Sequence, residues 1–223
     1  PFSDDVVYLF DKQIEEAGML VINKRDLLSD DEAAEVRALA ETRFPGKSLR
    51  LQNSLNSQEV EAWVMALEAG AAVAPTTSLE IDYARYGAGE ARLAWLDEIL
   101  TFRVPPGEGR GVVIRFMDTL VRRLRRENVA VGHLKFLVEG EQRKVKISFP
   151  TLVTAGWEND VPLLAGTEIQ VLVNARAEVA SSRLRDLVDE AAEAATAESG
   201  FTYEAAHVAS FHPAFPNPVH RIR

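Results

Sequence analysis

The chain of 223 residues contains no cysteine, so it can form neither a disulfide nor a thiolate metal centre of its own. No apolar run approaches the roughly 18 residues needed to span a bilayer, and the first residues lack a basic stretch followed by an apolar one. Neither membrane association nor export is therefore expected of these residues, and a cytoplasmic location is the compatible reading. Positive charge is scarce: the formal net charge of -9 argues against general nucleic-acid affinity while leaving room for a local basic patch. A Gly-x-x-x-x-Gly-Lys-Ser/Thr loop is also missing. No segment is thus expected to cradle the β and γ phosphates of a nucleotide or to offer a hydroxyl to Mg2+. Histidine is sparse as well, at four residues. His207, His212 and His220 cluster late, but their spacings do not match a compact chelate, so local hydrogen bonding is the expected role and no metal site is assigned.

What the chain does have is 47% apolar residues, ample for a core in one or two domains. Residues 19 to 28 organise the reading. Met19 to Ile22 form a short, β-branched apolar run suited to a buried parallel strand, and it ends in the tetrad Asn23-Lys24-Arg25-Asp26. The crevice beyond the carboxyl ends of strands is where open α/β sheets bind ligands. In an Asn-Lys-x-Asp tetrad so placed, the Asp26 carboxylate accepts from both the ring N–H and the exocyclic amino group of guanine, a donor pair that adenine lacks. Asn23 meets the acceptor edge of the base, and Lys24 lays its aliphatic stem along it. The alternative is that Asn23 and Asp26 merely form a turn and cap the next helix.

Around the tetrad, Asp11 to Gly18 followed by Met19 to Leu28 closely resembles the CobW-like P-loop GTPases, a group that includes cobalamin-assembly proteins and metallochaperones. In those relatives the loop after the next strand closes over the guanine from the opposite side, which carries over to Ser54 and Leu55. Where the relatives have Ser-Ala, this chain has Ser54-Leu55, which keeps the backbone contact and alters the side-chain one. The bland reading of that loop is a polar segment capping a helix. Tyr83 to Leu96 is similar to a segment in a subset of the family, and the ending from His212 to Arg221 is similar to Pro-rich endings of some relatives. The cysteine-rich metal motif of the family belongs to a half that this chain does not contain.

Element by element, a helix is expected from Ser3 or Asp4 to about Ala17 with Val7, Phe10 and Ile14 on one face. A second is expected after the capping-box pattern Ser29-Asp30-Asp31-Glu32, running to about Arg43 through Val36, Leu39 and Ala40. A strand at 48 to 52 and a helix at 57 to 69, with Val60, Trp63, Val64 and Leu67 inward, complete residues 1–70. These read as the second half of a G domain. Residues 71–78 read as a linker, 79–211 as an α+β domain and 212–223 as a Pro-rich tail. The α+β domain is read as a strand at 79 to 83, a strand at 96 to 104, an amphipathic helix at 109 to 127, a hairpin of 131 to 139 with 142 to 149, a strand at 167 to 178, a helix from Ser181 or Ser182 to about Thr196, and a strand at 202 to 211. With a turn at Gly140-Glu141, Leu137 would pair with Lys144, Lys135 with Lys146, and His133 with Ser148.

The fold class is therefore α/β: the second half of a P-loop GTPase domain followed by an α+β sandwich of split βαβ, ferredoxin-like flavour. One sheet face gathers His133, Lys135, Lys144, Lys146 and Arg176, a candidate surface for an anion or an acidic protein patch. Arg115, Arg122, Arg123, Arg125 and Arg126 decorate the helix at 109 to 127, where a solvated charged face outranks nucleic-acid binding. By resemblance, the whole protein binds GTP or GDP with Mg2+ and couples hydrolysis to delivery of a metal or cobalamin-type cofactor to a client metalloenzyme, with homo-oligomers allowed. This chain supplies guanine recognition, with phosphate and Mg2+ sites outside it, and is not expected to hydrolyse GTP alone. The alternative is a non-catalytic protein-binding scaffold using the basic sheet face.

Overall fold

The computed structural model describes residues 1–71, 79–149, 152, 156–198 and 200–215. In chain order the elements are α1 (Asp4–Glu16), β1 (Met19–Asn23), a 3-10 turn (Arg25–Leu27), α2 (Asp30–Arg43), β2 (Ser48–Gln52), α3 (Ser57–Glu68), α4 (Tyr83–Arg92), β3 (Leu93–Arg103), α5 (Gly109–Arg126), β4 (Ala130–Gly140), β5 (Arg143–Ser148), a second 3-10 turn (Trp157–Asp160), β6 (Glu168–Glu178), α6 (Ser181–Ala195) and β7 (Thr202–Phe211). The result is a mixed α/β protein with a five-stranded antiparallel sheet and a two-stranded parallel one. By contacts the chain divides into residues 7–86 on one hand and residues 1–6 with 87–215 on the other. Apart from Ala71, the expected linker lies outside the described residues, as does the tail beyond Phe215.

Residues 7–86 are built on β1 and β2, which run parallel with Ile22 opposite Leu51 and Asn23 opposite Gln52. Ser29 caps α2 through a complete capping box, its hydroxyl accepting from the Glu32 N–H while Glu32 accepts from the Ser29 N–H at 2.8 Å. Asn56 caps α3, accepting from Gln58 N–H at 3.0 Å. Several burial expectations change. The run Met19 to Ile22 is half-buried rather than buried. On α1, Val6 and Leu9 are the buried positions and Val7 is exposed; Leu39, Val64 and Leu67 are exposed as well. The physical reason is shared. A parallel strand is fully buried only with neighbours on both edges and helices on both faces, and among the described residues β1 has a single partner.

In the second unit the strand order is β5-β4-β6-β3-β7, every pairing antiparallel. One sheet face carries Leu96, Leu100, Phe102, Leu134, Phe136, Val138, Val171 and Val173 into a core shared with Phe116, Met117 and Leu120 of α5 and with Leu184, Leu187 and Val188 of α6. Aromatic rings thread that core from Phe102 to Phe116, Phe136, Phe149 and Trp157, with centroids 5.1 to 6.0 Å apart. Trp157, Val161 and Leu164, which sequence reading passed over as loop, are buried in it.

Three local corrections follow from specific residues. Residues 79–82 form no strand; Asp82 accepts from the N–H groups of Ala84 and Arg85 at 3.0 and 3.1 Å, and this cap starts α4 where alternation had pointed to extended chain. The hairpin turns at Glu141-Gln142, so Leu137 pairs with Lys146, Lys135 with Ser148 and Glu139 with Lys144. That is a shift of two residues along the partner strand, which preserves side-chain parity and hence the composition of each face. Finally, α6 is not capped by a serine side chain: its N-cap is Ala180, and the Ser181 N–H donates to His212 Nε2 at 3.1 Å.

Candidate functional site

The carboxyl ends of β1 and β2 bring two loops together. Asn23 is the last residue of β1, and its Oδ1 accepts from the backbone N–H of Lys24 at 2.8 Å and of Ser54 at 3.1 Å. One side chain thus ties the tetrad to the loop after β2. With Oδ1 engaged on the backbone, the side chain of the exposed Asn23 keeps its amide NH2 as the remaining donor. The second loop is fixed by its own wiring: the Asn53 N–H donates to Glu59 at 2.7 Å, the Leu55 N–H to Asn53 Oδ1 at 2.9 Å, and Gln52 Nε2 to Ser54 Oγ at 3.0 Å. Gln52 is buried beneath it, and sequence reading missed both Gln52 and Glu59 because each bond spans a turn that no periodicity marks.

Lys24 takes φ 63° and ψ 37°, the left-handed region that a non-glycine residue seldom adopts. This reverses the chain at the strand end and leads into the turn Arg25–Leu27. Arg25 holds the turn closed, donating to the Leu28 carbonyl at 2.7 Å and pairing with Asp30. Asp26 sits in that turn with its side chain exposed and no hydrogen-bond partner among the described residues. It caps nothing: the next long helix is capped by Ser29. Lys24 and Leu55 are likewise exposed, and the Leu55 N–H is engaged on Asn53 Oδ1.

The other expected surface lies on the face of the five-stranded sheet opposite α5 and α6. Cross-strand rows run Phe211–Trp95–Arg176–His133, then Asp97–Asn174–Lys135–Ser148, then Ile99–Leu172–Leu137–Lys146. Lys144 lies one row further, paired with Glu139 at 2.9 Å. Arg176 stacks on the Trp95 ring at 3.8 Å, and Trp95 leans on Phe211 at 5.8 Å. His133 is held below the ordinary imidazole value by burial first and then by the Lys135 and Arg176 charges.

The Arg-rich helix spends much of its charge internally: Arg123 and Arg183 share Glu190, Arg183 also pairs with Glu127, and Arg122 pairs with Asp118 at 2.9 Å. Among the described residues no group of three metal-ligating side chains converges, and His220 lies outside them. A shallow depression of about 300 Å³ is lined by Arg103, Pro105, Pro106, Thr167 and Gly200 and contains none of the expected site residues.

No family model, curated protein or solved structure matches the chain.

Proposed function

We propose that residues 7–86 are the guanine-selecting part of a CobW-like GTP-binding domain, the second half of a P-loop GTPase fold. The remaining unit, on this reading, is a ferredoxin-like sandwich: β3, α5, β4, β6, α6 and β7 supply the βαββαβ succession and β5 is an added edge strand. One observation carries the nucleotide reading. Asp26 presents an exposed carboxylate without a partner among the described residues, beside an Asn23 whose carbonyl ties together the loops at two parallel strand ends. The simpler turn-and-cap role accounts for Asn23 alone.

The residues present fit guanine and not the phosphates. On this reading Asp26 accepts from the N1 and N2 donors of the base, the Asn23 NH2 reaches its acceptor edge, the Lys24 stem covers a ring face, and the loop at Ser54 and Leu55 bounds the other side. No glycine-rich phosphate loop occurs in the sequence, so phosphate, Mg2+ and the activated water belong outside this chain. As a whole, the protein would couple GTP binding and hydrolysis to delivery of a metal or cobalamin-type cofactor to a client enzyme, a role that rests on the family resemblance.

The test is titration of GDP and ADP against the full natural chain. GDP is expected to bind selectively. Asp26→Asn is expected to lose about 100-fold in GDP affinity, since two hydrogen bonds to a charged acceptor go at once, and to gain xanthosine diphosphate, whose ring carbonyl accepts from the new amide. A folded full chain that binds neither nucleotide would sink the reading.

A further inference from the structure

The five-stranded sheet has a second face whose charges are unevenly satisfied. Toward one end each acid has a partner: Arg103 bridges Glu168 at 3.3 Å and Glu204 at 3.2 Å, and Glu139 holds Lys144. Asp97 receives a hydrogen bond from Asn174. Elsewhere on the face, among the described residues, no carboxylate pairs with Arg176 in the first row or with Lys146 on the β5 edge. Between the cations lies a half-buried apolar row of Ile99, Leu172 and Leu137, with Phe211 exposed at the edge.

An apolar centre with cations at its margin has the anatomy of a protein interface. Five strands at about 4.8 Å spacing and some 30 Å long give a face on the order of 700 Å², close to the roughly 800 Å² that each partner contributes to a standard complex. Nucleic acid fits less well. Arg176 and Phe211 occupy the surroundings of the Trp95 ring, which takes that ring out of use as a stacking platform, and Asp97 shares the face with the cations. From the charge complementarity we infer that this face docks an acidic protein surface, its carboxylates meeting Lys146 and Arg176 around an apolar contact with Leu137 and Leu172. The inference does not depend on the nucleotide reading.

A test uses the full chain and a random glutamate–tyrosine copolymer, with polyglutamate, oligothymidylate and inorganic phosphate as comparison ligands, followed by NMR. The copolymer is expected to bind more tightly than polyglutamate and to shift the amides of β4 and β6. Lys146→Glu and Arg176→Glu should each weaken binding at least tenfold. Lys146 is exposed, so its variant keeps the test independent of any loss of the stack on Trp95. Reversing Arg125 and Arg126 on α5 should change binding less than twofold.

Several results would overturn the proposal: no copolymer binding at low ionic strength, binding that responds to Arg125 and Arg126 but not to Lys146, or oligothymidylate binding as tightly as the copolymer. Full competition by inorganic phosphate would reduce the face to a simple anion site. Concentration-dependent dimerisation abolished by Lys146→Glu would assign it to a second copy of this chain instead.

Discussion

Glu98 is fully buried on β3, and among the described residues neither of its carboxylate oxygens has a hydrogen-bond partner. It faces the core opposite Val173 and Val208, at the bulge where His207 takes φ 51°. Asp189 and Arg185 of α6 and Tyr203 of β7 are the charged or titratable groups near it. Burial, with a smaller push from Asp189, raises its pKa to about 7, and Arg185 only partly offsets this. The folded state therefore binds more protons than the unfolded state between about 4.5 and 7, and stability falls as pH rises through that window. Glu98→Gln keeps the shape and removes the charge. It is expected to flatten this dependence and to be more stable than the parent above pH 7 by on the order of 2–3 kcal/mol. Urea midpoints at pH 5 and pH 8 check it; parallel behaviour of parent and variant would detach Glu98 from the pH response. This residue was legible in principle, as an acid at the inward parity of Leu96, Leu100 and Phe102. Asn23 and Asp26 stood out because their chemistry is local to four letters at a strand end. The bond from His212 to the start of α6 was not legible, since it joins residues 31 apart.

At the level of elements, the capping box of α2 is the clearest agreement between letters and geometry. Ser29→Ala removes the hydroxyl that accepts from the Glu32 N–H and should destabilise the 7–86 unit by about 1 kcal/mol. It also removes part of what holds the Glu32 carboxyl below its ordinary value, namely the Ser29 N–H first and the Ser29 hydroxyl second. An upward move of the Glu32 titration by NMR, alongside a lower thermal midpoint, is the expected pair of results; an unchanged Glu32 titration would mean that the backbone bond alone sets it. Most strands and helices of the second unit were readable because each alternates or repeats against one well-filled core. Where element reading failed, a competing local bond decided the outcome, as at Asp82. In the hairpin, face composition survived a register error because the error was even. On α3, Val64 and Leu67 look inward by periodicity yet are exposed, since periodicity gives the direction of a face and not the presence of something against it.

Taken whole, the chain distributes its burial unequally. Nearly all fully buried apolar residues belong to β3, β4, β6, α5, α6 and their connections, whereas β1 has no fully buried residue and β2 has only Gln52. No pattern within residues 19–23 could have told this, because the burial of a parallel strand is a property of its neighbours. Opening free energy follows buried apolar contact, so native-state hydrogen exchange of the full chain should show two levels. Amides of β3 and β6 should exchange only through the largest openings, and those of β1 and β2 through smaller ones, faster by at least tenfold. Saturation with GDP at about 100 times Kd would stabilise the binding-competent state by about 2.7 kcal/mol, near a 100-fold slowing. If the guanine reading holds, that slowing falls on β1, β2 and the loops at 23–26 and 53–55 and leaves β3 and β6 unchanged. Uniform protection of β1 and β6 without ligand would make the two sheets one cooperative unit. A GDP effect confined to β3 and β6 would move the nucleotide site away from Asp26.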